Sequence, residues 1–165
     1  MVKKSGWLVK FLAAGLAAAT LGLGLTAQAA EKPQDPKVFN IGAILAMSGK
    51  ANWYGTVMSQ GILQAVDEIN AKGGVDGIKL KVSIGDNKSG SAQAGVDAMN
   101  RLIDIDHVQA VLTSFSPPTL AIAPIADQKK IFLINGGGVS QALIGASKYL
   151  FHNRSLASEL VRAAA

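Results

Sequence analysis

Cysteine is absent from the 165 residues of this chain. Its absence excludes disulfides, thiolate metal sites and cysteine nucleophiles, and it removes the residue that a bacterial lipoprotein needs at its cleavage site. Histidine is nearly as scarce, since the chain contains two, His107 and His152. They do not form a pair at metal-ligand spacing, and we expect each to be a surface or capping residue rather than a general base.

Acidic and basic residues nearly balance once the first 29 residues are set aside. The whole chain carries 16 Lys and Arg against 11 Asp and Glu, a net charge of +5. Three of those lysines and no acidic residue lie in residues 1–29, so the remainder has a net charge of +2. That remainder shows no cluster of Lys and Arg that would follow a phosphate backbone. We therefore exclude nucleic acid as a partner.

Sequence motifs for catalysis and cofactor binding are also missing. Three glycines follow a predicted strand at 136–138, but position 141 is Gln, so the dinucleotide fingerprint G-x-G-x-x-G is not met. The segment 49–51 (G-K-A) lacks the hydroxyl residue and the earlier glycine of a phosphate loop. No G-x-S-x-G motif occurs. We expect neither an enzyme nor a bound metal or cofactor.

The N-terminal segment 1–29 has the three-part layout of a cleavable export signal. A lysine-containing stretch precedes an apolar run at 11–25, and Ala-Gln-Ala follows at 27–29. A membrane anchor is the alternative, but the run contains three glycines and falls short of the ~20 residues that a spanning helix needs. We expect cleavage after Ala29 and an exported, soluble protein, periplasmic in a Gram-negative source.

Residues 30–37 are polar and contain two prolines, which predicts a flexible leader. From Val38 to the end, strand-like runs alternate with helix-length segments, and this βαβα order favours an α/β fold with a mostly parallel sheet. We predict strands at 38–46, 78–84, 108–113, 131–135 and 148–152. The second alternates apolar and polar residues, which indicates a position near a sheet edge, whereas the fourth is continuously apolar, which predicts cover on both faces.

Helices are predicted after the first three strands and again near the end. The first ends at Gly73–Gly74, and its apolar stripe comprises Met58, Ile62, Ala65, Val66 and Ile69. Ser91 is a candidate N-cap for the second, whose stripe comprises Ala92, Val96, Met99 and Ile103. In the third, Pro124 is expected to bend or shorten the helix. A last helix begins near Ser155 without a stop signal before the final residue, so we expect a longer parent protein.

Three loops after predicted strands have unusual composition. Ligands of open parallel sheets gather where such exit loops meet helix N-termini. The loop residues are Ser48, Trp53 and Tyr54 in the first, Ser114, Phe115 and Ser116 in the third, and Gly136, Gly137, Gly138 and Ser140 in the fourth. Hydroxyl and backbone N–H groups suit a carboxylate, and aromatic rings suit an apolar body, so we expect a small amphipathic ligand.

Each of these features also has a purely structural explanation. Trp53 and Tyr54 can cover the sheet edge, the three glycines can form a tight turn, and Ser116 can cap the helix that follows. The sequence leaves both interpretations open.

Five segments resemble one family. They are 41–49 (IGAILAMSG), 54–55 (YG), 65–77 (AVDEINAKGGVDG), 118–126 (PTLAIAPIA) and 134–138 (INGGG). Together they resemble the leucine/isoleucine/valine-binding type of ABC-transporter substrate-binding protein from about residue 38 to the end. The glycine-rich helix exit with Asp86 soon after it is the most specific part.

The resemblance implies a two-lobed receptor of the type I periplasmic-binding fold, with helices on both faces of each sheet and the solute between the lobes. Residues 38–165 would form most of the first lobe, and an ABC permease in the inner membrane would be the partner. Ligand contacts would fall on Tyr54, Phe115, Ser116, Pro117, Gly137, Gly138 and Val139. Two alternatives are a ligand-sensing module of the same fold and an enzyme with its chemistry in a missing half.

Two positions depart from the pattern of the amino-acid binders. Pro117 stands about where a ligand-binding serine is usual, and Val139 about where a threonine is usual. Because proline offers neither a hydroxyl nor an N–H, an amino acid would lose a hydrogen bond there unless Ser114 or Ser116 replaces it. The solute is therefore expected to be an amino acid, an amide or a carboxylate.

Overall fold

The structure, a computed structural model, describes residues 38–164. In this range five strands alternate with helices. The strands are β1 (Val38–Leu45), β2 (Lys79–Asp86), β3 (Ala110–Thr113), β4 (Phe132–Asn135) and β5 (Leu150–His152). The helices are α1 (Asn52–Ala71), α2 (Ala92–Asp104), α3 (Ser116–Lys129) and α4 (Ala157–Ala164), with a 3-10 turn at Gln141–Leu143. The predicted export signal and leader lie outside the described residues.

The strands form one parallel sheet in the order β2-β1-β3-β4-β5. The predicted α/β class with a parallel sheet is confirmed, and so is the position of β2 at an edge. All five strands end at the same edge of the sheet, where the exit loops collect. The described helices include none long and apolar enough to cross a membrane.

One face of the sheet packs against α2 and α3 and forms the main core. Ile44, Val111 and Leu133 point to this face from neighbouring strands and are fully buried. Met99 and Leu102 of α2 close the core from above. Burial of side chains of this size stabilises the fold by roughly 1.5–3 kcal/mol each, so this layer holds most of the hydrophobic stabilisation.

The buried side of α2 differs from the predicted stripe. Ser91 does cap the helix, since its Oγ accepts a hydrogen bond from the Ala94 N–H at 3.2 Å. Ala92 is exposed, however, and the buried residues are Ala94, Gly95, Ala98, Met99 and Leu102. The rest of the predicted stripe does face the core, since Met99 is fully buried and Val96 and Ile103 are partly buried against it. Gly95 lies against Pro118, so a small residue at this position lets α2 approach α3 closely.

The other face of the sheet carries α1, which packs against β1 and β2. The predicted α1 stripe faces the sheet but is only partly buried, and Ala65 is exposed. The prediction that β4 is covered on both faces is wrong, because Phe132 stacks on Phe151 at 5.0 Å and remains 48% exposed. Helix α1 lies over the first two strands, so no helix within residues 38–164 covers this face of β4.

Local backbone signals account for the helix ends. Gly73 and Gly74 follow α1 with φ of 105° and 88°, and a Cβ on Gly74 would lie 2.1 Å from the Ile78 carbonyl oxygen, so the glycine stop is confirmed. Pro124 does not shorten α3, which continues to Lys129. Its exposed position keeps the ring away from the core.

Two helical glycines provide a matched test of the α2–α3 contact. A Cβ on Gly95 would lie 2.6 Å from the Pro118 Cβ, whereas a Cβ on Gly61 in α1 would meet nothing within 4 Å. Both Gly→Ala changes gain helix propensity of up to about 1 kcal/mol, but overpacking costs about 1–3 kcal/mol. We expect G61A to raise the free energy of unfolding in urea and G95A to lower it. Equal changes in the free energy of unfolding for G61A and G95A would show that α2 and α3 do not pack as described.

Candidate functional site

The exit loops of β1, β2 and β3 are joined by the buried side-chain amide of Asn87. Asn87 is fully buried just after β2, and its Nδ2 lies 3.3 Å from the Ser114 carbonyl oxygen, 3.2 Å from the Ser114 Oγ and 3.5 Å from the Ile44 carbonyl oxygen. Its Oδ1 accepts a hydrogen bond from the Gly90 N–H at 2.9 Å. One side chain thus links the ends of β1, β2 and β3.

A second buried amide shapes the loop after β4. The Oδ1 of Asn135 accepts hydrogen bonds from the N–H groups of Gly137 (3.3 Å) and Gly138 (2.7 Å), and its Nδ2 donates to the Gly138 carbonyl at 2.8 Å. The same Nδ2 lies 3.1 Å from the His152 Nδ1, which places the end of β5 beside the loop. The N–H groups of the glycine segment are therefore already bonded within the protein.

The glycines also allow a close approach of two loops. A Cβ on Gly137 would lie 3.0 Å from the Ser114 Cβ, and one on Gly138 would lie 2.8 Å from Leu143 and 2.9 Å from the Asn135 Oδ1. The glycine run is thus explained by contact between the third and fourth exit loops. This contact brings the two loops into a single wall.

Phe115 has a strained backbone at the start of α3. Its φ of 66° with ψ of 141° lies outside the regions that suit a side chain with a Cβ. A Cβ on Gly90 would lie 3.4 Å from the Phe115 ring, so the ring sits directly over that backbone. Strain of this kind costs about 1–3 kcal/mol and is typical of functional segments.

These loops enclose a cavity of about 450 Å³. Its lining residues are Tyr54, Met58, Ser114, Phe115, Gly136, Gly137 and Arg154. The Tyr54 and Phe115 rings meet edge to face at 6.3 Å, and a Cβ on Gly55 would lie 2.1 Å from the Ala46 carbonyl oxygen, so the start of α1 rests directly on β1. The cavity therefore combines aromatic, aliphatic and cationic surface on a wall fixed by tight backbone contacts.

The first predicted loop is shorter than expected. Helix α1 begins at Asn52, so Trp53 and Tyr54 lie in its first turn instead of in the loop. Their rings meet edge to face at 4.9 Å, and 64% of Trp53 and 57% of Tyr54 is exposed. The structure brings Tyr54 to the cavity, whereas Trp53 packs beside it and does not line it.

Ser48 lies apart from the cavity and is engaged by Asp86. Its Oγ donates a hydrogen bond to the Asp86 Oδ2 at 2.5 Å, while the Oδ1 accepts from the N–H groups of Met47, Ser48 and Lys88 at 2.9, 3.2 and 2.8 Å. Partial desolvation opposes ionisation, but the Ser48 hydroxyl and these three N–H donors outweigh it and lower the pKa of Asp86. This carboxylate fastens the first exit loop to β2.

The remaining predicted contacts lie at the rim. The Ser116 Oγ accepts hydrogen bonds from the N–H groups of Val139 and Ser140 at 3.0 and 3.1 Å, so it joins α3 to the β4 loop instead of capping its own helix. Pro117 is exposed in the first turn, Val139 is 37% exposed, and Gly138 is buried. None of these four residues lines the cavity, and whether they touch a solute remains a prediction.

Sequence reasoning missed four residues of this site. Asn87 and Asn135 organise the loops, and Met58 and Arg154 line the cavity. The signal for the two asparagines was their position directly at a strand end, where an amide can pair peptide groups. No comparable signal marked Arg154, because its approach to Gly137 depends on how β5 pairs with β4.

The fold and the site together define a class of protein. The chain forms a parallel α/β lobe that presents a concave, largely prebuilt wall at the carboxyl edge of its sheet, as solute-binding lobes do. A family model described as periplasmic binding protein matches residues 38–165. The chain belongs to this family, and the resemblance noted in the sequence is confirmed.

Individual relatives agree with this assignment. The chain is 34% identical over 109 residues to the Leu/Ile/Val-binding protein BraC3 of Rhizobium johnstonii, a match covering 66% of this chain and 28% of that protein. It is similar to the solved structure of LivJ from Streptococcus pneumoniae in complex with isoleucine, with a TM-score of 0.68, 32% identity, and coverage of 73% of this chain and 34% of that one.

A possible leucine/isoleucine/valine-binding protein from Rhodopirellula baltica gives a TM-score of 0.72 at 28% identity, covering 81% of this chain and 36% of that one. The chain thus spans about a third of the length of the relatives that it matches.

The Asp86 site predicts a specific dependence of stability on pH. A carboxylate whose pKa is lowered on folding stabilises the fold above its unfolded pKa, near 3.9, and this contribution is lost as the pH falls through the folded pKa. We expect D86N to reduce the free energy of unfolding at pH 7, with the gap to the wild type shrinking below about pH 4. S48A removes only one of the hydrogen-bond donors to Asp86, so it should lower the free energy of unfolding at pH 7 by less than D86N does. A gap that stays constant with pH, measured by urea denaturation, would contradict this account.

Asn87 predicts a larger loss at neutral pH. Replacing it by alanine leaves the buried Ser114 carbonyl and hydroxyl without the Asn87 amide donor, which costs about 1–3 kcal/mol. We expect N87A to lower the free energy of unfolding by about 2 kcal/mol. The control N100A, at an exposed position of α2, should change it by less than about 0.5 kcal/mol.

Proposed function

We propose that this chain is the first lobe of the solute-binding component of an ABC importer, and that it captures a branched-chain amino acid or a similar small amphipathic solute. Membership of the periplasmic binding protein family carries this proposal. Relatives named for binding leucine, isoleucine and valine support the solute class. In this proposal the protein is a receptor without catalytic activity.

The composition of the cavity supports an amphipathic solute. Tyr54, Phe115 and Met58 offer apolar surface, while Ser114 and Arg154 contribute polar groups to the lining. A cavity of about 450 Å³ is within the range of small-molecule sites. A compact hydrocarbon body with one polar end fits such a lining better than a sugar or a nucleotide does.

The open side of this cavity is consistent with a second lobe. A chain that spans about a third of its relatives' length supplies one wall, and the second wall would come from the rest of a two-lobed protein. Closure of two lobes around a solute is a hinge motion. Such a closed form would then deliver the solute to a permease in the inner membrane, and residues 1–29 would direct export to the periplasm.

The proposal predicts weak but localised solute binding by the purified chain. We expect L-isoleucine and L-leucine to shift backbone amide NMR signals of residues 54, 115 and 137, with half-saturation on the order of 1 mM or weaker because one wall is missing. L-Aspartate, which has no apolar body, should give no localised shift.

Two variants on the same helix make this test specific. Y54A removes an aromatic wall of the cavity and should weaken isoleucine binding about fivefold, which corresponds to a truncation cost of about 1 kcal/mol. V57A, on the solvent side of α1, should leave binding unchanged. If no apolar solute produces localised shifts, or if Y54A and V57A bind equally well, the proposed function is wrong.

A further inference from the structure

We propose that Arg154 binds the charged group of the solute, and that the solute is an organic carboxylate whose apolar body lies against Tyr54, Phe115 and Met58. This inference rests on the proposed function, because it concerns the same cavity. It narrows the solute class from amphipathic molecules in general to molecules with a carboxylate.

Several of the backbone N–H groups that would normally bind an anion at this wall are either missing or already hydrogen-bonded within the protein. Helix α3 begins Ser116-Pro117-Pro118, so its first turn lacks two of the N–H groups that a helix N-terminus normally offers to an anion. The N–H groups of Gly137 and Gly138 donate to the Asn135 Oδ1. A carboxylate at this wall therefore has fewer backbone donors than a helix N-terminus without prolines would offer.

The cavity hydroxyl is engaged as well. The Ser114 Oγ accepts from the Asn87 Nδ2 at 3.2 Å and donates to the Ile44 carbonyl at 3.3 Å. Rotating it toward a solute would leave the buried Ile44 and Asn87 groups less well bonded, at a cost of about 1–3 kcal/mol. Ser114 therefore serves to hold the wall and is a poor donor to a ligand.

Arg154 supplies a cationic hydrogen-bond donor, which the other lining residues of the cavity do not offer. Its guanidinium lines the cavity, and its Nη1 approaches the Gly137 carbonyl oxygen at 3.4 Å. Among residues 38–164 the one ion pair joins Arg101 to Asp106, so no carboxylate oxygen of the described residues lies within 4.0 Å of an Arg154 nitrogen. Its planar fork can hold a carboxylate through two parallel hydrogen bonds.

The backbone on both sides of Arg154 is held in place. Before it, the Asn153 N–H donates to the Asn135 carbonyl at 3.3 Å, and the His152 ring lies beside the Asn135 amide. After it, the Ala157 N–H donates to the Val139 carbonyl at 2.9 Å. The β4 loop thus anchors the Arg154 segment from both ends, which fixes where the guanidinium can reach.

The lining residues contain a cation but no acid. The lining of this cavity therefore offers an oppositely charged partner to a carboxylate and none to an ammonium group. For two solutes with the same apolar body, we expect the charge of the carboxylate, rather than that of an amine, to decide which one binds this chain more tightly.

The test compares 4-methylvalerate, which has an apolar body and a carboxylate, with its neutral amide, 4-methylvaleramide, in NMR titrations of the purified chain. Wild type should bind the acid at least about fivefold more tightly than the amide, as expected for a charge-assisted pair that is partly exposed. R154Q should abolish this preference, so that the acid binds no more tightly than the amide. R154K, which keeps the charge but loses the fork, should bind the acid with intermediate affinity.

R162Q is the matched control, since Arg162 is an exposed arginine on α4 and its loss changes the net charge equally. It should retain the preference for the acid. Equal loss in R162Q and R154Q would reduce the effect to net charge and overturn the inference. Localised shifts with equal affinity for acid and amide in wild type would refute the role of Arg154 while leaving the proposed function intact. Absence of localised shifts with any of these solutes would instead refute the proposed function.

Discussion

The structure depends on pairing the peptide groups that parallel strands leave at their carboxyl ends. Where strands stop and loops diverge, buried N–H and C=O groups lose their sheet partners and must find others. Two buried amides, Asn87 and Asn135, meet this need across four of the five strand ends. An amide side chain suits the task because it donates and accepts at once. The exit loops consequently form one connected wall.

The hydrogen bonds that pair the peptide groups at this edge of the sheet also determine which polar groups remain available in the cavity. Since Asn135 occupies the N–H groups of the glycine segment and Asn87 engages Ser114, the wall is rigid but has few free donors. The strained Phe115 backbone then presents an aromatic ring, and Arg154 contributes charge from the β5 side. Stability and solute selectivity thus arise from the same hydrogen bonds, because donors used for structure are no longer available to a ligand.

Sequence patterns predicted the order of elements more accurately than their burial. The alternation in β2 correctly indicated an edge strand, and Ser91 and Gly73–Gly74 correctly marked helix ends, because these signals act over a few residues. The predictions that Ala92 of α2 is buried and that β4 is covered on both faces failed for a different reason. Which side of α2 is buried depends on its contact with Pro118, and the exposure of Phe132 depends on where α1 lies.

By itself, the sequence determined the parallel α/β class, the likeness to periplasmic binding proteins and the three loops where a site would form. These follow from periodicity, from glycine positions and from motifs that are local in the chain. The tertiary structure decided which loop residues face one another. It placed Ser48 on Asp86 and away from the cavity, and it brought Arg154 to Gly137. Such pairings depend on strand order and on the distances between loops, which no local pattern encodes.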